Sequence, residues 1–246
     1  MGRAKEIKVK VIPSKIANEF VRKHHYSGKV VNNSNLHFGA FLDDKLHGVM
    51  SFGPSLDKSK IIGLVKDTKW NEFIELNRMA FDDFLPKNSE SRCISIAIKL
   101  LKKNAPQIKW IVSFADGCQC GDGAIYRASG FLLTGFSTGS MWLLPENLQK
   151  LNGGKIAHRM KVQDKCSGLS RYILSKTKGK NLTMKQYVNN FGGEVLQGYM
   201  LRYIYFIDKS YKDKLTVPIL PFSKIDEMGA GMYKGEKITQ AERHKT

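Results

Sequence analysis

The sequence predicts an α/β fold, and three observations predict it. An unbroken apolar run, Trp110-Ile-Val-Ser-Phe-Ala115, reads as a strand buried on both faces. It leads through Asp116 and a glycine-rich turn into a short helix carrying Tyr126, with Gly130 as the stop before a strand at 131–136. Upstream, Ile94, Ala97, Ile98 and Leu101 recur at helical spacing behind the opening segment Pro86-Lys-Asn-Ser-Glu-Ser-Arg92. Strands that alternate with helices build a central sheet flanked by helices.

Residues 9–12 read as the first strand. Pro13-Ser14 opens a helix with Ser14 as N-cap, and Ile16, Ala17, Phe20 and Val21 form its apolar face. That helix ends at His24-His25-Tyr26-Ser27-Gly28, with Gly28 as the break. Residues 32–35 are a polar loop. Strands at 37–42 and 46–52 are joined by the hairpin signal Asp43-Asp44-Lys45, and Gly53-Pro54 ends the second. Residues 55–70 predict an excursion with a short helix. The strand at 73–81 carries Glu75, Asn77 and Arg78. Asn88 or Ser89 is expected to cap the following helix. Lys102 and Lys103 complement its dipole, and Asn104-Ala-Pro106 stops it. Residues 144–198 are rich in Lys, Gly and Ser, with weak helical stretches at 170–175 and 183–190. They read as a basic insertion before the last strand, 199–207, whose aromatics alternate as on a pleated strand. The expectation is one domain over 1–246, with the insertion at 144–198 and a loosely ordered tail at 228–246.

Composition narrows the function classes. No run approaches the roughly 20 apolar residues of a membrane span. The basic start of the chain lacks an apolar signal core, so a cytoplasmic protein is expected. The four cysteines (93, 118, 120 and 166) suit a reducing compartment better than a disulfide scaffold. Lys and Arg number 40 against 22 Asp and Glu, a net charge of +18, which calls for a polyanionic partner: DNA, RNA or an acidic membrane. Between residues 155 and 185 stand nine cations, Lys155, Arg159, Lys161, Lys165, Arg171, Lys176, Lys178, Lys180 and Lys185, against one acid, Asp164. These nine are the candidate DNA contacts, a reading favoured at this density over the alternative of a solvated basic surface.

The order of elements resembles the GCN5-related N-acetyltransferase (GNAT) fold, a mixed central sheet flanked by helices. In that resemblance the helix at Asn88 corresponds to the pyrophosphate-binding helix. The strands at 73–81 and 110–115 correspond to the parallel pair that parts to admit an acyl-CoA. Tyr126-Arg-Ala-Ser-Gly130-Phe131 looks like the tyrosine helix whose phenol protonates the departing thiolate. A narrower set of blocks resembles the phage Mom family of DNA-modification proteins: His25-Tyr26-Ser-Gly28, Glu75-Leu-Asn-Arg78, Leu85-Pro-Lys-Asn-Ser-Glu-Ser-Arg92, Ser113-Phe-Ala-Asp116 with 121–126, and Arg202-Tyr-Ile-Tyr205 followed by Pro221. The Mom resemblance implies conversion of adenine N6 in duplex DNA to a methylcarbamoyl-type adduct that shields phage DNA from restriction. It implies acetyl-CoA as source of the group and iron as a further cofactor. One departure is plain. The phosphate loop of ordinary GNATs is glycine-rich, whereas Lys87-Asn-Ser-Glu-Ser-Arg92 has no glycine and places Glu90 near the site.

The resemblance marks Asp116, Tyr126, His25 and Tyr26 as catalytic, and His25, Tyr26 and Asp116 as iron ligands. Residue types alone leave His25 as a helix-end cation, Asp116 as a turn-former and Tyr126 as a packed ring. Asn77, Arg78, Asn88, Ser89, Ser91 and Arg92 are the expected contacts of an acyl-CoA-type molecule, through helix-start amides and cations. For Arg78 a structural salt bridge is the alternative. Cys118-x-Cys120 with Cys166 and His158 is a weak zinc pattern. Trp142 and Phe136 read as core, with base stacking as the alternative. The expected partner is double-stranded DNA; no membrane is expected, and a homodimer is left open. Two other functions stay open: an ordinary acyl-CoA N-acetyltransferase of a protein or small amine, and a GNAT-like DNA-binding protein without activity.

Overall fold

The computed structural model describes residues 3–117, 121–138, 141–163, 167–196 and 198–228. After a 3-10 turn at Arg3–Glu6 come β1 (Lys8–Val11), α1 (Ser14–His24), β2 (Leu36–Leu42) and β3 (Lys45–Gly53). The excursion holds α2 (Lys58–Ile61) and a 3-10 turn at Ile62–Leu64. β4 (Phe73–Phe81), α3 (Ser89–Asn104), β5 (Trp110–Asp116), α4 (Ala124–Ala128) and β6 (Leu132–Thr138) follow. Next are β7 (Met141–Leu143), α5 (Glu146–Asn152), β8 (Ile156–His158), α6 (Arg159–Gln163), α7 (Gly168–Lys176), α8 (Met184–Phe191) and β9 (Glu194–Val195). β10 (Tyr199–Phe206), a 3-10 turn at Lys209–Lys214 and α9 (Ser223–Glu227) complete the described chain.

Seven strands form one mixed sheet in the order β1-β2-β3-β4-β5-β10-β6. β1 to β4 pair antiparallel in sequence order, and the β2–β3 hairpin closes at Asp43-Asp44 with both residues left-handed (φ 51 and 58), a twist that Asp tolerates. β4 and β5 pair parallel, which needs the α3 crossover between them. α3 earns its place by burying Ile94, Ala97, Ile98 and Leu101. Each such Ile or Leu contributes roughly 1.5–3 kcal/mol. The Phe73 and Trp110 rings stack at 4.5 Å where the parallel ladder begins. α1 packs Ala17, Phe20 and Val21 against Val49 and Ala80.

Three local expectations are corrected. Ile16 is 44% exposed rather than buried. At about 100° per residue it lies at the edge of the arc centred on Ala17, Phe20 and Val21. Ser14 is already helical; Pro13, extended at φ −61 and ψ 146, holds the N-cap position without a side-chain bond. Neither Asn88 nor Ser89 caps α3 through its side chain. Asn88 is left-handed at φ 68, and the buried Ser89 hydroxyl donates back to the Pro86 carbonyl.

Among the described residues, those of 1–115, 119–136 and 201–231 form one compact unit, and those of 116–118 and 137–200 a second. The second unit has a three-stranded sheet in the order β8-β7-β9 and its own core of Trp142, Leu144, Leu148, Ala157, Val162, Leu169, Ile173 and Tyr187. The stretch expected to be weakly helical therefore contains a folded core. Trp142 is fully buried in it and donates to the Gly192 carbonyl at 3.0 Å, so it packs rather than waits for a base. The tail residues from 229 onward, with Cys118, Cys120, Lys165 and Cys166, lie outside the described residues.

Candidate active site

The first unit gathers polar groups where β4 and β5 part. The parallel pairing covers Phe73, Ile74 and Glu75 against Trp110, Ile111 and Val112. On the other edge of β4, Arg78 faces Ser51 and Leu76 faces Phe52, so Asn77 is the extra residue of a β-bulge. A bulge re-aims side chains, and here it acts on Glu75, Asn77 and Arg78. Asn77 is buried; its Oδ1 accepts from Ser34 Oγ at 3.0 Å, while its Nδ2 has no good hydrogen bond among the described residues. Ser55 Oγ likewise has no well-aligned bond, although both groups lie close enough to the Glu75 carboxyl to lower its pKa as hydrogen-bond partners. Burial raises the pKa of the Glu75 carboxyl, and Ser55, Asn77 and Arg78 offset only part of that rise. Buried polar groups left short of partners are where ligands are met.

His25 stands at the C-terminus of α1, on the same cluster. Its Nδ1 lies 2.8 Å from Ser27 Oγ, and its ring is 4.2 Å from that of the exposed Tyr26. Burial first, then the Arg78 charge, push its pKa down to about 4. His25 is therefore neutral at pH 7, which corrects the helix-end cation reading: desolvation outweighs the helix dipole. Arg78 donates from Nε to the Lys29 carbonyl at 3.0 Å and from Nη1 to the Asn77 carbonyl at 3.1 Å. It fastens the His25 loop to the bulge through carbonyls, and among the described residues it makes no salt bridge of the kind considered from sequence.

A second feature of this unit lies at the start of α3. Lys5, Lys87, Asn88, Ser91 and Arg92 line an open cavity of about 540 Å³. The left-handed Asn88 explains how the loop turns without glycine, since Asn tolerates that conformation. Arg92 reaches the Lys5 carbonyl at 3.4 Å through Nη2, and its Nε is buried without a partner among the described residues. Three cations, a hydroxyl and an orphaned guanidinium N–H fit a phosphate-bearing group such as the pyrophosphate of an acyl-CoA. Ser89 does not line this cavity, its hydroxyl being turned inward. Lys5 and Lys87 were not among the expected cofactor contacts. Lys87 stands inside the quoted loop, whereas only the 3-10 turn at Arg3–Glu6 brings Lys5 there.

The third feature is the β5–α4 corner. Tyr126 is buried, with its ring 5.4 Å from Phe131 and 5.3 Å from Tyr203. Asp122 accepts from Ala124 N at 3.0 Å and from Arg127 Nη2 at 2.8 Å, and its carbonyl takes the Tyr203 hydroxyl. Asp116 is buried at the end of β5 and groups with the second unit. Cys93 is buried in α3, which pushes its thiol up to about 12 and leaves it inert.

Among the described residues no three His, Cys, Asp or Glu side chains gather as a metal site requires. Nothing among the described residues supports iron, and the set of His25, Tyr26 and Asp116 stays an expectation of the resemblance. In the second unit Lys155, Arg159, Arg171, Lys176, Lys178, Lys180 and Lys185 are exposed. Lys161 is not a free cation of that face: its Nζ donates to Asn152 O at 2.8 Å and Oδ1 at 2.6 Å. No helix among the described residues is long and apolar enough to cross a membrane.

These features fall in the blocks that suggested Mom, and a family model described as the Mom protein family matches residues 6–224. The chain belongs to the Mom protein family. This Mom-family chain is 40% identical over 129 residues to the methylcarbamoylase Mom of Escherichia phage Mu, across 52% of its own length and 53% of the relative's. It thus spans about half the length of the curated relative it matches. Among solved structures it is similar to a spermidine/spermine N-acetyltransferase, SpeG, from Vibrio cholerae, determined with manganese ions: TM-score 0.45, 8% identity, 86% of this chain and 99% of that one. An acetyltransferase from Bacillus subtilis determined with CoA gives a TM-score of 0.41 at 11% identity, over 82% and 97% of the two chains.

Proposed function

We propose that this Mom-family chain transfers an acyl-CoA-derived group to N6 of adenine in duplex DNA, giving a methylcarbamoyl-type adduct that protects phage DNA from restriction. The family match across residues 6–224 carries this reading. The net charge of +18 supports a DNA partner. Lys5, Lys87, Asn88, Ser91 and Arg92 would hold the CoA phosphates, with Arg78 at the parting of the strands. Bound there, an acyl-CoA would supply the carbon atoms of the transferred group, its C–S bond breaking as CoA thiol leaves, and the extra nitrogen of a methylcarbamoyl-type adduct would come from a separate amine donor.

The adenine amino group is a weak nucleophile because its lone pair is delocalised into the ring. Positioning and proton removal then govern the rate. Asp116 is the assigned proton acceptor and Tyr126 the assigned donor. His25 is neutral at pH 7, but burial and the Arg78 charge make it a weaker proton acceptor than an ordinary imidazole. Iron has no assigned step. The test is mass spectrometry of nucleosides from plasmid DNA of cells expressing the soluble protein. A deoxyadenosine of raised mass is expected; unmodified nucleosides throughout would reject the activity.

A further inference from the structure

The second unit carries a cavity of its own. α7 ends at Lys176 with Thr177 as its C-cap, Gly179 N bonded to Leu174 O at 2.8 Å and Lys178 left-handed at φ 52. This is a Schellman stop, and its left-handed position favours glycine. A lysine there costs on the order of 1 kcal/mol. The chain then turns into α8, which Thr183 and Gln186 open with a capping box. Between the end of α7 and the end of α8 lies a cavity of about 440 Å³.

Its lining combines two chemistries. Tyr172 and Phe191 stand at 6.5 Å and 62°, edge to face, with Leu182 beside them. Tyr172 is 36% exposed, so a large aromatic face is kept in water. Lys176 and Lys180 supply positive charge, Lys176 Nζ lying 5.8 Å from the Tyr172 ring centre. Thr177 adds a buried hydroxyl with no partner among the described residues. From Ser167 to Gly193 the chain holds five cations and no carboxylate. That excludes a cationic ligand or a metal and calls for an anion with a flat ring.

We propose that this cavity binds one nucleotide of an unpaired DNA strand, its base against Tyr172 and its phosphate on Lys176 and Lys180. The proposal rests on the DNA reading above and deepens it. Chemistry on a base in a duplex requires the base to leave the stack, which leaves unpaired nucleotides to be held. An aromatic platform beside lysines is the general solution for single strands.

The test is fluorescence anisotropy of labelled oligo(dT) over a salt series. Tyr172→Ala and Tyr172→Leu should each weaken binding about 5- to 150-fold at fixed salt, the range of one lost base stack. Their salt slopes should stay parental, since no cation is removed. Tyr172→Phe should bind like the parent. Lys176→Gln with Lys180→Gln should flatten the slope by up to ~1.4, about 0.7 per phosphate contact on a single strand. Tyr172→Leu keeps apolar packing on α7, so it reports on stacking even if the alanine variant is unstable. Parental affinity in folded Tyr172→Leu overturns the subsite; a Tyr172→Phe loss equal to that of Tyr172→Leu does the same. Nucleoside mass spectrometry separates the two readings. Modified adenine with ring-independent oligo(dT) binding removes the subsite alone. Ring-dependent binding with unmodified adenine removes the activity alone.

Discussion

His25 illustrates how a single half-buried side chain sets a pH response. Its folded-state pKa, about 4, lies below the ordinary 6.5. Between those values the unfolded chain binds more protons, so stability is present above pH 6.5 and is lost as pH falls toward 4. The interval corresponds to on the order of 3 kcal/mol. Glu75 acts in the opposite sense. Its pKa is raised above 4.5, so the folded state holds the proton longer and stability falls as pH rises through that window. Urea unfolding at stepped pH should show His25→Gln losing part of the parent's decline below pH 6.5, with His37, whose pKa burial also lowers, supplying another part. Glu75→Gln should lose the penalty above pH 4.5. An unchanged profile in either variant would mean that its group is solvated in the folded protein. The catalytic assignments are tested separately. Asp116→Asn or Tyr126→Phe should abolish the raised-mass deoxyadenosine while DNA affinity stays near parental, because neither change alters positive charge. Modification persisting in both would make them packing residues only.

At the scale of elements, the β5–α4 corner depends on one glycine. Gly123 sits at φ 80, and a Cβ there would lie 2.5 Å from the Tyr203 ring. Gly123→Ala should cost about 2–4 kcal/mol, from left-handed strain plus a clash in a packed ring cluster. Thermal melting checks this; a parental midpoint would show that Tyr203 yields freely. The long elements were legible in the sequence for a physical reason. β4 and α3 run 9 and 16 residues, long enough for alternation or helical periodicity to show. In the second unit the helical stretches expected at 170–175 and 183–190 are α7 and α8, but its sheet was not legible, because β7, β8 and β9 hold 3, 3 and 2 residues. Its core is assembled from single residues of many short pieces, and only tertiary structure brings them together. The site was legible in the same uneven way. Motif blocks marked His25, Tyr26, Asn77 and Arg78, but the bulge that isolates Asn77 is a register property of two strands. The raised pKa of Glu75 likewise depends on burial that its neighbours in sequence do not announce.

At the scale of the whole molecule, charge is the dominant property. A net +18 on 246 residues is large for a chain that must bury an ordinary core, and much of it is concentrated in the second unit. Exposed lysines contribute little to stability, so a concentration of them suits a polyanionic partner better than any need of the fold. Lys176, Lys178, Lys180 and Lys185 are all exposed, unlike Lys161, which is committed to Asn152. Each phosphate neutralised releases condensed counterions, so log affinity for duplex DNA should fall with log salt by about 0.9 per contact. Replacing these four lysines with Gln should weaken duplex binding and flatten the slope by up to ~3–4. Replacing Lys161 should instead lower the melting temperature, because it breaks two hydrogen bonds to Asn152. If the quadruple variant keeps the parental slope, the duplex contacts lie elsewhere. The cations of 99–109 and the basic start of the chain, Arg3 to Lys10, would then be the next segments to neutralise. A slope that flattens in the quadruple variant while its melting temperature holds would assign the second unit to the DNA backbone.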